Sequence, residues 1–113
     1  ISDVYGIEPE YPWLDSPDSV VFRHPASGKW FGLLMRVARQ RLGLAGEGAL
    51  DVLNVKCDPI LIGSLRAEPG FLPAYHMNKT TWVSILLDGS VPDERISFLL
   101  GLSYGLVAPR ARP

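Results

Sequence analysis

Cys57 beside Asp58, with His76 further along the chain, supplies the residue types of a thiol nucleophile and its base. Their setting argues against that chemistry. Cys57 closes the alternating segment LDVLNVK and points inward, where a cysteine serves as a small buried hydrophobe. A zinc site would need the same residues plus His24, but the chain contains no C-x-x-C and no H-x-x-x-H. Gly43, Gly46 and Gly48 lack the Gly-Lys-Ser/Thr that completes a phosphate loop. No catalytic residue, metal or cofactor is expected, and the chain reads as non-enzymatic.

The cations and aromatics offer a different chemistry. Net charge is −1 over 113 residues, so composition alone does not announce a nucleic-acid binder. The charges are segregated, however. Residues 1–18 hold Asp3, Glu8, Glu10, Asp15 and Asp18 without a base, and residues 19–41 hold Arg23, Lys29, Arg36, Arg39 and Arg41 without an acid. A basic patch on a near-neutral protein is therefore expected. In PAYHMNKTTW (73–82), His76 and Asn78 are suited to pin a loop by bonding backbone groups, with ligand or partner contact as a second role. Lys79 is expected in solvent, where it can meet a phosphate or carboxylate.

Short strands and two compact helices must position these groups. SVVFRH (19–24), the turn PASG and KWFGLLMRVA (29–38) predict a β-hairpin. LGLAGEGA (42–49) reads as a flexible glycine loop, and LDVLNVK (50–56) as a third strand extending an antiparallel meander. DPILIGSLRAE (58–68) predicts a helix capped by Asp58, with Pro59 in its first turn and its end by Pro69-Gly70. TTWVSILL (80–87) predicts a strand ending at Asp88-Gly89. SVPD (90–93) then resembles a Ser-x-x-Asp capping signal before a helix carrying Ile96, Leu99, Leu100 and Ser103.

Alternation assigns faces. It puts Phe31, Leu33, Met35 and Val37 inward with Leu53, Val55, Cys57, Thr81, Val83, Ile85 and Leu87. It leaves Trp30, Gly32, Leu34, Arg36, Val52, Asn54, Lys56, Trp82, Ser84 and Leu86 outward. Trp30, Lys56, Lys79 and Trp82 are thus expected to share one exposed patch. Such a patch offers stacking planes and cations to an anionic partner, or an aromatic anchor to a protein. The competing structural expectation is that the tryptophans cover one another or lie beneath the N-terminal segment with Tyr11 and Trp13.

NVKCDP (54–59), GSLR (63–66), PAYHMNKTTWVSILLDGSVP (73–92) and LSYGLV (102–107), with YPW (11–13) and GKWFGL (28–33), resemble the MmcQ/YjbR family of small bacterial proteins over nearly the whole chain. The resemblance implies a CyaY-like α+β fold, an antiparallel sheet with helices packed on one face in a double-wing arrangement. Residues 1–113 are expected to form one domain. The family's longer N-terminal helix would keep only its last turn in ISDVYG, which gives the expectation of a fragment of a longer protein. Members are described as DNA-binding by fold analogy. Carried to this chain, that places Arg36, Arg39 and Arg41 against phosphates, with Lys29, Lys56 and Lys79 as further cations and Trp30 and Trp82 as stacking groups. A protein-interaction module on the same aromatic and basic face is the alternative. The resemblance to frataxin-like proteins also raises iron binding, but Pro9, Pro12 and Pro17 interrupt the acids that would have to form one ridge. One cysteine, no signal segment and no membrane-length apolar run predict a cytoplasmic, monomeric protein that binds no membrane.

Overall fold

A computed structural model describes Glu10, residues 19–75 and residues 77–109. The expectations for the first helix, Tyr11, Trp13, His76 and most of the acidic segment lie outside the described residues.

The hairpin predicted at PASG forms as β1 (Val20–Arg23) and β2 (Trp30–Ala38). His24 organises the turn: its ring Nδ1 accepts from the N–H of Ala26 at 3.1 Å, and its ring lies 4.3 Å from that of Tyr104. A 3-10 turn (Arg39–Leu42) follows, ended by Gly43 in the left-handed region, where a side chain would be strained. The Arg39 N–H bonds the Gly48 carbonyl at 3.0 Å and the Leu44 N–H bonds the Arg39 carbonyl at 2.9 Å. The expected flexible loop is thus partly replaced by a braced turn. β3 (Ala49–Lys56) then returns beside β2.

Helix α1 (Pro59–Leu65) begins as its sequence predicts, with the Asp58 carboxylate accepting from the N–H of Ile60 at 2.9 Å. A short strand that the sequence reading missed, β4 (Phe71–Pro73), precedes β5 (Trp82–Leu86). Helix α2 (Asp93–Leu106) closes the described chain. Its N-cap is Pro92, not Ser90, because the Ser90 hydroxyl bonds the Asp88 carboxylate instead. Asp93 and Glu94 in the first turn supply the negative charge that the helix start favours.

The five strands make one antiparallel sheet in the order β1-β2-β3-β5-β4, so the fold is α+β as expected. The sheet and the two helices enclose the main core, which joins Phe22, Phe31, Leu53, Val55, Val83 and Ile85 to Ile62, Leu65, Leu99 and Leu100. The register of β1 against β2 slips by one residue between Phe22 and Arg23: Phe22 pairs with Gly32 and Arg23 with Trp30. Phe31 is the extra residue of this bulge. It remains in the helix-side core, in an edge contact with Tyr104 at 5.0 Å.

The bulge corrects the predicted face assignment of β2. Beyond it the pleat changes phase, so Leu34 joins the helix-side core while Met35 and Val37 join a second cluster with Val52 and Leu86. Leu42, Leu44, Leu72 and Tyr75 pack onto this second cluster. The sheet is therefore buried on its far face as well. Val52, Asn54, Ser84 and Leu86, expected to point outward, do face away from the helices but into a second layer of side chains rather than into solvent.

Ser103 of α2 repairs the backbone at the bulge. Its hydroxyl donates to the Phe31 carbonyl at 2.7 Å and accepts from the Lys56 N–H at 2.8 Å, tying two strands to the helix.

Candidate functional site

The predicted site residues divide into three places. Lys29 and Trp30 lie at the hairpin end of β2. There Trp30 is half-buried and the Arg23 guanidinium lies 5.7 Å from its ring centre. Arg23 also pairs with Glu10 at 2.8 Å, so this end carries an acid beside its cations. Lys56 and Trp82 pair across β3 and β5. Trp82 is only 8% exposed, which removes it from any contact surface. Outward in the pleat does not mean outward from the molecule. The patch expected from Trp30, Lys56, Lys79 and Trp82 does not form.

Arg36, Arg39 and Arg41 lie at the other end of β2. The nine residues of this strand span roughly 30 Å, so these arginines are far from Lys29. Arg36 points to the helix side of the sheet, where its Nε bonds the Asp51 carboxylate at 3.1 Å. Arg39 opens the 3-10 turn. Hydrogen bonds from the Ser90 hydroxyl and N–H hold the Asp88 carboxyl below its ordinary pKa, and the charge of Arg39 adds a smaller contribution. Arg41 is different: exposed, and without an ion-pair partner among the described residues.

Arg41 and Lys79 line one cleft on the far face. One cleft of about 340 Å³ is bordered by Met35, Val37, Arg41 and Tyr75. A neighbouring cleft of about 200 Å³ is bordered by Arg41, Leu72, Tyr75 and Lys79. Arg41 and Tyr75 are common to both, so one cation and one aromatic ring divide a continuous concave surface with a second cation at its edge. Sequence reasoning selected Arg41 and Lys79 separately and overlooked Tyr75. The tyrosine stands next to His76 in PAYHMNKTTW, but neither spacing nor alternation relates it to a residue such as Arg41, more than thirty positions away.

Buried polar groups hold this arrangement. Asn54 of β3 and Ser84 of β5 are fully buried and directly opposite one another. The Ser84 hydroxyl donates to the Asn54 side-chain oxygen and accepts from the Tyr75 N–H at 2.9 Å. The Asn54 amide donates to the Tyr75 carbonyl at 3.0 Å. Both backbone groups of Tyr75 are thus fixed to the centre of the sheet. Asn78 anchors the return to β5 as the loop-pinning reading expects: its side-chain oxygen accepts from the Thr80 N–H at 2.8 Å and its carbonyl from the Trp82 N–H at 2.9 Å. Lys79, between these anchors, is exposed.

The groups weighed for catalysis are placed differently. Cys57 is buried, and burial, with a smaller contribution from the charge of Asp58, pushes its thiol up to about 11. At neutral pH it is protonated and a poor nucleophile. The ring of His24 is committed to its own turn. Among the described residues no three His, Cys, Asp or Glu side chains come together as a metal cluster, and no helix is long and apolar enough to cross a membrane.

Comparison with known proteins gives a consistent result. The uncharacterised Bacillus subtilis protein YyaQ is 41% identical over 106 residues, covering 94% of this chain and 90% of its own. The uncharacterised Escherichia coli (strain K12) protein YjbR is 38% identical over 53 residues, 46% of this chain and 45% of its own. A crystal structure of a Pseudomonas syringae protein superposes with a TM-score of 0.92 at 40% identity, covering 95% of this chain and 92% of that one. The Deinococcus radiodurans protein DR2400 has a TM-score of 0.70 at 29% identity, over 94% and 74% of the two chains. Residues 2–106 match the YjbR family model, and the chain belongs to the YjbR family.

Proposed function

We propose that this chain is a non-catalytic nucleic-acid-binding protein whose contact surface is the far-face concavity around Tyr75. The observation that carries the reading is that Arg41 and Lys79 line one cleft together with the half-buried Tyr75, and neither has a carboxylate partner among the described residues. Cations spaced by an aromatic ring suit a strand whose phosphates alternate with stackable bases. Arg39 at the adjoining turn adds to the positive field, whereas Arg36 is partly neutralised by Asp51. The hairpin end is a weaker candidate, because Glu10 stands against Arg23. Protein docking on an aromatic sheet face is not favoured, because Trp82, its intended anchor, is buried.

Titration of labelled single-stranded and duplex DNA at several salt concentrations tests the reading. Two phosphate contacts give a log-log salt slope of about −1.4 for single strands and about −1.8 for duplex. Lys79→Ala and Arg41→Ala each weaken binding and remove about half of that slope, while Lys29→Ala leaves it unchanged. Absence of binding at low salt, or binding indifferent to both substitutions, rejects the assignment.

A further inference from the structure

A duplex is a convex rod with its bases stacked inside, read by a helix or a projecting two-stranded ribbon in the major groove. The far face offers neither among the described residues. Both helices pack on the opposite side of the sheet, through Ile62 and Leu65 of α1 and Leu99 and Leu100 of α2. The connection between β2 and β3 is held down on the far face: Leu42 and Leu44 pack on the second cluster, and the Arg39 N–H bonds the Gly48 carbonyl. What the face does offer is concave. The clefts of about 340 and 200 Å³ that share Arg41 and Tyr75 stand at or below the small end of ligand pockets, with room for a flat base and none for a double helix.

We infer, resting on the nucleic-acid reading above, that this site takes single-stranded nucleic acid in preference to duplex, with an unpaired base lodged in the cleft against Tyr75 and its flanking phosphates met by Arg41 and Lys79. Three features select the single strand. First, Tyr75 is recessed and fixed. It is half-buried and packs on the second cluster, its N–H is bonded to the Ser84 hydroxyl at 2.9 Å, and its carbonyl is bonded to the Asn54 amide at 3.0 Å. A residue so held does not swing out into a groove; the base has to come to it, and only an unpaired base can. Second, the cations are few. Arg41 and Lys79 line the cleft and Arg39 adjoins it, on a chain of net charge −1. A binder that relies on charge makes roughly 6–10 phosphate contacts, so here stacking has to supply the larger share, and a duplex withholds it. Third, the cleft walls include Leu42, Leu72 and Pro73, which suit the apolar faces of a base and not the anionic exterior of a duplex.

Fluorescence anisotropy at fixed low salt is the test, with labelled oligothymidine, oligouridine, a DNA duplex of equal length and an equally long strand of abasic sugar-phosphate units. Phosphates alone would favour the duplex, whose charge is denser. The single strands should instead bind tighter than the duplex, and the abasic strand should lose the roughly 5- to 150-fold that the stacking of one base contributes. The abasic strand needs no substitution in the protein, so its outcome does not depend on how a variant folds. Tyr75→Leu, which keeps apolar bulk on the second cluster, should weaken oligothymidine binding by a similar factor with the salt slope and the circular dichroism spectrum unchanged. Whichever of the deoxy and ribo strands binds tighter names the polymer, and either supports the proposal. A duplex bound as tightly as the single strands overturns it while the nucleic-acid reading stands, as does an abasic strand bound as tightly as oligothymidine. A folded Tyr75→Leu chain with wild-type affinity overturns it too. Absence of binding to all four overturns both.

Discussion

Asn54 and Ser84 show how much a residue's meaning depends on what lies across from it. In sequence they are the outward polar members of alternating strands, and their faces were read correctly. Their burial was not legible, because alternation distinguishes the two sides of a strand but not a solvated side from a covered one. What covers them includes the stretch around Tyr75, whose backbone they bind. Asn54→Ala should remove the side-chain donor to the Tyr75 carbonyl and cost about 2–3 kcal/mol, measured by urea unfolding. Ser84→Ala should cost a similar amount, and the double variant clearly less than the sum, since both act on one network. Loss of nucleic-acid affinity with Arg41 and Lys79 intact would then trace the binding surface to the support beneath it. Asp58 is the contrasting case: a cap beside a proline is a local device, and it was legible in full.

At the scale of elements, the strands and helices emerged from periodicity and turn chemistry, with two exceptions that have physical causes. β4 is three residues long and ends in Pro73, too short to show a period. The bulge in β2 adds one residue and reverses the faces of everything after it, and no local composition marks the slip. Its stability rests on α2. Ser103→Ala removes both the donor to Phe31 and the acceptor for Lys56, while alanine is the better helix former. A loss of about 2 kcal/mol in chemical denaturation, against the direction of helix propensity, should therefore report the bulge contacts alone. No change would mean that other groups satisfy those backbone atoms.

Over the whole molecule, acid is the revealing perturbation. Hydrogen bonds from Arg95 hold the Glu68 carboxyl below its ordinary value of 4.5, and Ser90 holds Asp88 below 3.8. Carboxyls lowered in the folded state contribute stability that is complete above their unfolded values and lost as pH falls through the lower folded ones. Urea midpoints should be level near neutrality and decline below about pH 4.5, and Glu68→Gln should flatten part of that decline. On the alkaline side the raised Cys57 thiol acts in the opposite sense: its contribution is intact below 9.0 and lost as pH rises towards about 11.

The margins of the sheet carry a last consequence. On one margin Val21 of β1 exchanges backbone hydrogen bonds of 2.8 and 2.9 Å with Glu10; on the other, β4 stops after three residues at a proline, which has no N–H to offer. Both borders are thereby poor templates for an incoming strand, and runaway fibril growth by edge addition is blocked where strongly apolar strands make it most hazardous.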